Sequence, residues 1–237
     1  MKPRIQSPAP EALAVVERYA RRDHNAVRYN PLNPAVYLST QERERALIRL
    51  IHTAALAPLA NRRVLEIGCG SGSNLLQLIK LGCQPAHLVA NELLEERLAA
   101  ARTLLPAAVD IIPGDASTLS FADGTFDIVL QSTVFSSLLD EDFQALLAAR
   151  MWQWVKPGGG VLWYDFTFNN PRNPDVRGMP LHRIRALFPD ARIRAWRLTL
   201  APPISRFVTR IYPNLYHVFN LLPFLRTHLL CWIAKPI

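Results

Sequence analysis

The stretch VLEIGCGSGSN at residues 64–74 constrains this chain more than any other part of it. An apolar run ends in an acid, three glycines alternate with small residues, and an apolar helical pattern then resumes. That order reads as strand, tight glycine turn and helix, the entry unit of a parallel α/β sheet. Glycines there let the backbone approach a nucleotide-like ligand closely. The spacing is G-x-G-x-G through Gly68, Gly70 and Gly72, and Ser73 stands where a dinucleotide fingerprint places its third glycine. Lysine is absent from 64–74, so the loop is not a Walker phosphate cradle either.

The alternation continues downstream. Strands are expected at 63–67, 87–90, 109–112, 127–131 and 161–165, with helices at 74–81, 94–104 and 140–155. Asp140 is placed to cap the last of these helices, and KPGGG at 156–160 reads as the turn after it. Before this core, a helix at 10–22 and an Asn/Pro-rich loop precede a second helix, which the S-x-x-E box Ser39–Glu42 is expected to open. After it come a helix at 180–188, a strand at 191–200, an amphipathic stretch at 204–225 and a closing strand at 228–235. The predicted fold is α/β and Rossmann-like: a seven-stranded, mostly parallel sheet with helices on both faces. We divide the chain into an N-terminal helical cap (1–60), a Rossmann-like core (61–201) and a helical insertion with the closing strand (202–237), all in one structural domain.

Composition narrows the class. Of 237 residues half are apolar and 19% charged, which suits a globular chain with a sizeable core. The three cysteines, Cys69, Cys83 and Cys231, form no CxxC pair, so neither a disulfide scaffold nor a zinc site is expected, and no metal. The N-terminus lacks the apolar core of a secretory signal, and the apolar-rich run at 211–225 is too short to span a bilayer. A cytoplasmic protein is expected, at most peripheral at the inner membrane face. The net charge of +8 hides an acidic centre: 64–165 carries 5 Lys/Arg against 12 Asp/Glu, while 1–63 carries 11 against 5 and 166–237 carries 11 against 2. Basic arms of this kind attract a carboxylate, a phosphate or an anionic membrane, or simply form a solvated surface. No RNA-binding module is visible, so nucleic acid is not expected as a partner.

Charge also bears on the ligand. Glu66, Glu92, Asp115 and Asp127 lie at or near strand ends, where they would repel a pyrophosphate and hold a cation. S-adenosylmethionine (SAM) carries a sulfonium, an ammonium and one carboxylate, a net +1. Glu92 lies 20 residues beyond Gly72, the place of an acid that accepts ribose hydroxyls at the end of the second strand. Glu66 either orients the loop or meets the ligand's ammonium. The helix after the glycines faces the methionine carboxylate with its N-terminus, at Asn74. Gln131, ending the fourth strand, is expected to line the same pocket, and Asp127 to be structural.

With these residues in place, VLEIGCGSGSN resembles the first motif of class I SAM-dependent methyltransferases. NELLEERLAAAR, PGDASTLSFADGTFDIVL and WVKPGGGVLWYDF follow in the family's order, and the resemblance covers about 64–165. It implies that Glu92 and Leu93 meet the ribose side of SAM, and that Asp115 and Ala116 meet the adenine. LQSTVFSSLLD, LWYDF and NPRNPDVRG resemble a bacterial subgroup of methyltransferase type 11-like proteins with no defined acceptor.

Catalytic residues are harder to read. Phe135-Ser136-Ser137 stands where many relatives carry a histidine, which argues against histidine-assisted O-methylation. Asp165 is the candidate base or acceptor anchor, with a loop-fixing role as its alternative. Tyr164, Asn169, Asn170, Arg172 and His182 are weaker candidates. The expected acceptor is a small or lipid-like molecule, acidic in one version, with peripheral membrane contact through 204–226. The oligomeric state is open. A non-catalytic SAM-binding protein and a nicotinamide oxidoreductase are the rival readings.

Overall fold

The computed structural model describes residues 8–21, 30–171 and 173–237. Its framework alternates as β1 (Val64–Ile67), α3 (Ser73–Lys80), β2 (Leu88–Glu92), α4 (Glu95–Leu104), β3 (Asp110–Pro113), β4 (Phe126–Ser132), α5 (Glu141–Trp154) and β5 (Val155–Phe166). Two helices, α1 (Pro10–Ala20) and α2 (Pro34–Thr53), precede it. After it come α6 (Leu181–Leu187), β6 (Arg192–Leu200), α7 (Pro202–Ile211), α8 (Leu215–Asn220) and β7 (Arg226–Ala234). The strands form one seven-stranded sheet in the order β3-β2-β1-β4-β5-β7-β6. β1 to β5 pair in parallel, and β7 alone runs antiparallel to both its neighbours. The expected seven-stranded, mostly parallel architecture is the one found.

Helices cover both faces, so the central strands are apolar on both sides. Trp154, Met151 and Phe188 pack on one face against Phe126, Val129 and Trp163. Leu50, Leu75 and Leu78 pack on the other against Val64, Ile128 and Leu162. Strand order reverses between β1 and β4, which places a crevice at the carboxyl ends of the central strands.

Several local expectations change. α2 begins at Pro34, and its cap is Asn33, whose side chain accepts from Ala35 N; proline at the first helical position takes precedence over the S-x-x-E box. Ser39 lies inside the helix and donates to Val36 O at 2.8 Å. Glu42 turns inward, where its carboxylate accepts from Thr199 N, Tyr216 Oη and Asn220 Nδ2. The glycines at 158–160 belong to β5, which pairs with β4 through a register shift. The stretch at 204–225 is broken at Pro213 into two short helices. Asp140 caps α5 as expected, its Oδ1 accepting from Asp142 N and Phe143 N. Residue 22, the expected end of the first helix, and Arg172 lie outside the described residues.

Candidate functional site

Two adjoining cavities occupy the crevice. The first, about 90 Å³, is lined by Gly68 after β1, Glu92 and Leu93 after β2, Asp115 and Ala116 after β3, and Thr133 and Val134 after β4. The second, about 220 Å³, is lined by Arg43 of α2, Asn74 of α3, Gln131 of β4 and Tyr164 of β5, with apolar wall from Leu47, Leu76 and Leu162. Ser132 lines both.

The glycine loop runs from the first cavity, lined by Gly68, to the second, lined by Ser73 and Asn74, while Gly70 and Gly72 line neither. Gly68, Gly70 and Gly72 all have left-handed φ, +62°, +58° and +87°. A Cβ on Gly72 would come 2.7 Å from Leu105, so only glycine lets the loop pack on the end of α4. A Cβ on Gly70 would meet no atom within 4 Å, so this backbone faces open space. Glu92, almost fully buried, holds the loop: its Oε2 accepts from Gly70 N at 2.7 Å, and Oε1 accepts from Leu93 N and Leu94 N. Three of the four acceptor positions of the carboxylate are thus used, and one remains for a ligand hydroxyl.

Glu66 is fully buried on β1 beneath the loop and, like Asp165, lines neither cavity. Its Oε1 accepts from Asn74 Nδ2 at 2.7 Å, and Oε2 has no partner. Burial pushes this carboxyl up to about 8, against the Asn74 hydrogen bond and the charge of Arg43. A buried orphan oxygen is costly, and a ligand cation reaching it would both satisfy it and favour its ionised form. The Arg43 guanidinium sits 5.3 Å above the Tyr164 ring. Among the described residues it forms no ion pair or hydrogen bond.

Asp115 binds on two sides: Oδ1 accepts from Ser117 N, and Oδ2 accepts from Ala9 N at 2.9 Å, just ahead of α1. α1 roofs the first cavity with Ala12, Val15 and Tyr19. Its clamp is the buried pair Arg18–Glu11, in which Arg18 also donates to Ser137 O and Glu11 accepts from Leu139 N. Arg97 lies 4.6 Å over the Tyr19 ring.

Asp165 lines neither cavity. Its Oδ2 accepts from Ser136 N and its Oδ1 from Phe166 N, and burial raises it to about 7. These are the bonds of a loop-fixing residue. Gln131 likewise spans backbone, accepting from Val134 N and donating to Tyr164 O, while also lining the second cavity. Tyr164 bonds Thr199 through its hydroxyl and stacks on His228, which burial holds down at about 4 and therefore neutral. Asn169 and His182 border a separate cleft of about 350 Å³. Asp127 ion-pairs with Lys156 and Arg62, outside both cavities. Sequence reasoning missed Arg43 and Tyr19, because helices outside the motif segment deliver them and no spacing rule ties them to it.

The residues present fit SAM: an orphan carboxylate oxygen for an ammonium, an acid beside the loop for hydroxyls, and glycine backbone facing open space between them.

Residues 64–159 match the family model described as a methyltransferase domain. The chain is 34% identical over 170 residues to the fatty-acid O-methyltransferase of Mycolicibacterium smegmatis, covering 66% of this chain and 60% of the relative. It is 32% identical over 151 residues to the phthiotriol/phenolphthiotriol dimycocerosates methyltransferase 1 of Mycobacterium ulcerans, covering 61% and 54%. The chain thus spans little more than half the length of these curated relatives. Among solved structures, a 1,6-didemethyltoxoflavin-N1-methyltransferase from Burkholderia thailandensis shares the fold at a TM-score of 0.65, with 16% identity over 98% of this chain and 94% of that one. That structure holds 1,6-didemethyltoxoflavin and S-adenosylhomocysteine. A SAM-dependent methyltransferase from Archaeoglobus fulgidus superposes at 0.60, with 14% identity over 84% and 98%. The methyltransferase-domain match at 64–159, the strand order and these relatives together support a class I SAM-dependent methyltransferase family for this chain.

Proposed function

We propose that this protein transfers the methyl group of SAM to a lipid-like acceptor carrying a carboxylate. When bound, SAM supplies a methyl carbon already activated by the sulfonium. The chain's own residues then bind, align and exclude water. Glu92 takes the ribose hydroxyls with its remaining acceptor capacity, while Leu93, Asp115 and Ala116 border the adenine. Glu66 Oε2 receives the methionine ammonium, and the backbone at Ser73 and Asn74 faces the methionine carboxylate. α1 closes over the adenosine end.

The observation that carries the acceptor class is the second cavity: apolar walls from Leu47, Leu76 and Leu162 beside the cations Arg43 and Lys80, with Glu44 also in the lining. Arg43 rests on Tyr164 but makes no ion pair or hydrogen bond among the described residues. A carboxylate suits this arrangement, because it is ionised at neutral pH and needs no base before it attacks the methyl carbon. Asp165, bonded away from both cavities, is then a positioning residue that holds the Ser136 loop. The names of the two mycobacterial relatives, a fatty-acid and a phthiotriol-lipid methyltransferase, support a lipid acceptor. A lipid acceptor also implies contact with a membrane surface.

The test is transfer of labelled methyl from SAM to a long-chain fatty acid and to the matching fatty alcohol. Label in the methyl ester of the acid alone is the expected result. Label only in the alcohol removes the carboxylate from the proposal, and SAM binding without transfer to any lipid of a cell extract reduces the protein to a SAM-binding module.

A further inference from the structure

From Ala191 to the last residue the chain has seven Lys/Arg and no Asp or Glu. Within this stretch α7 is inverted relative to a solvated helix. Ser205, Val208 and Thr209 are buried on its inner side, and Ser205 Oγ finds no partner there. Phe207 and Ile211 face outward, 67% and 66% exposed. Phe207, Arg210 and Ile211 fall at i, i+3 and i+4, so they form one stripe. Leu221 and Phe224, in and after the turn that ends α8, are 74% and 71% exposed. α8 packs against both α7 and the turn at 223–225, so these side chains belong to one end of the molecule. Large apolar side chains gathered on a water-facing surface mark an interaction site.

Charge selects the occupant. A second copy of this face would bring arginine against arginine with no acid to offset them, which opposes a symmetric contact. An anionic bilayer satisfies both halves of the surface: rings and alkyl chains enter the boundary between headgroups and acyl chains, and the guanidinium groups meet phosphates. Among the described residues no helix is long and apolar enough to cross a membrane, so the contact lies in the interface plane.

We propose that α7 and the α8–β7 connection, through Phe207, Arg210, Ile211, Leu221 and Phe224, form a docking surface for an anionic lipid bilayer. This deepens the methyltransferase reading and rests on it for the lipid nature of the acceptor; the docking itself rests on the surface. α2 joins the two. It packs on α7, its Glu42 accepts hydrogen bonds from Tyr216 and Asn220 of α8, and its Arg43 and Leu47 line the second cavity. A bilayer-bound α7 therefore lies one helix away from the cavity where the lipid head group is methylated.

Vesicle flotation at low salt tests this with phosphatidylcholine alone and with phosphatidylcholine plus phosphatidylglycerol. The wild type is expected to float with the phosphatidylglycerol vesicles only. The pairs Phe207→Ser/Ile211→Ser and Arg206→Gln/Arg210→Gln, the second removing both guanidinium groups that α7 carries, should each lower partitioning by about tenfold. The proposal is overturned if the wild type does not float, if it floats equally with neutral vesicles, or if both pairs float like the wild type. It is also overturned if Phe207→Ser/Ile211→Ser dissolves a lipid-independent dimer, which assigns the face to a second copy. Calorimetry with SAM on the same samples keeps the readings apart. Unchanged SAM affinity in the variants shows that they fold. A wild type that binds vesicles but not SAM sinks the methyltransferase reading and leaves the docking surface standing.

Discussion

Glu66 lies buried behind the glycine loop with one oxygen bonded to Asn74 and the other unpartnered, in surroundings that favour its neutral form near pH 7. Binding an ammonium there reverses that preference, so SAM should displace a proton as it binds at neutral pH. Calorimetry in buffers of differing ionisation enthalpy reads this directly, and Glu66→Gln should abolish the release while weakening SAM by about tenfold or more. Equal proton release in Glu66→Gln would place the titrating group elsewhere. Arg43 makes a second prediction at this scale. Arg43→Gln should raise the KM of a fatty-acid acceptor by about tenfold and leave SAM affinity unchanged. The opposite pattern, weakened SAM with unchanged KM, moves Arg43 to the methionine carboxylate and removes its charge from acceptor recognition.

Among the elements, α1 and α2 carry functions that their sequences do not announce. α1 is held across the first cavity by the bond from Ala9 N to Asp115, by Arg18 to Ser137 O, by Leu139 N to Glu11, by the hydroxyl bond between Tyr19 and Ser137, and by Arg97 over the Tyr19 ring. Replacing Tyr19 by Ala removes a ring from the roof of the cavity. We expect faster SAM release, by several-fold, with little change in the association rate, measured by stopped-flow fluorescence. α2 is tied to the insertion through buried Glu42. Glu42→Ala would strand the Tyr216 hydroxyl, the Asn220 amide and the Thr199 N–H, at a cost of about 3 kcal/mol in urea denaturation. A smaller loss, with water filling the place of the carboxylate, would show that the α2–α8 contact is not dry.

The whole molecule stores carboxyls that dislike ionisation. Glu66 and Asp165 rise on folding from 4.5 to about 8 and from 3.8 to about 7, so the folded state keeps protons that the unfolded state has lost. Their contribution is fully present below pH about 4 and declines as pH rises towards 8. His228 acts the other way: lowered from 6.5 to about 4, it makes stability rise with pH between those values. Above pH 6.5 only the two carboxyls remain of these three groups, and stability should fall up to about pH 8. A urea series over that range checks this, with Glu66→Gln and Asp165→Asn each expected to flatten the fall. A slope unchanged in both variants would rule these carboxyls out as its source.

How much of this was legible in the sequence follows from the range of the forces involved. The G-x-G-x-G loop, the acids at strand ends and the alternation of strand and helix are local, and parallel pairing with right-handed crossovers leaves few ways to assemble them. The five parallel strands, the places of Glu66, Glu92 and Asp115 at or just after strand ends and the Asp140 cap were therefore readable from residues 64–165. The start of α2 was misread because Pro34, with Asn33 ahead of it, satisfies the first helical turn before the Ser39 box is reached. Three features depend on long-range packing alone: Arg43 facing the second cavity, Asp115 bonded to Ala9 and Asp165 turned towards Ser136. No spacing in the chain encodes them, because each joins segments that only the completed sheet brings together. For α7 the sequence determined an apolar stripe beside arginines; tertiary packing decided that its hydroxyl side would be buried and its aromatic side left facing outward.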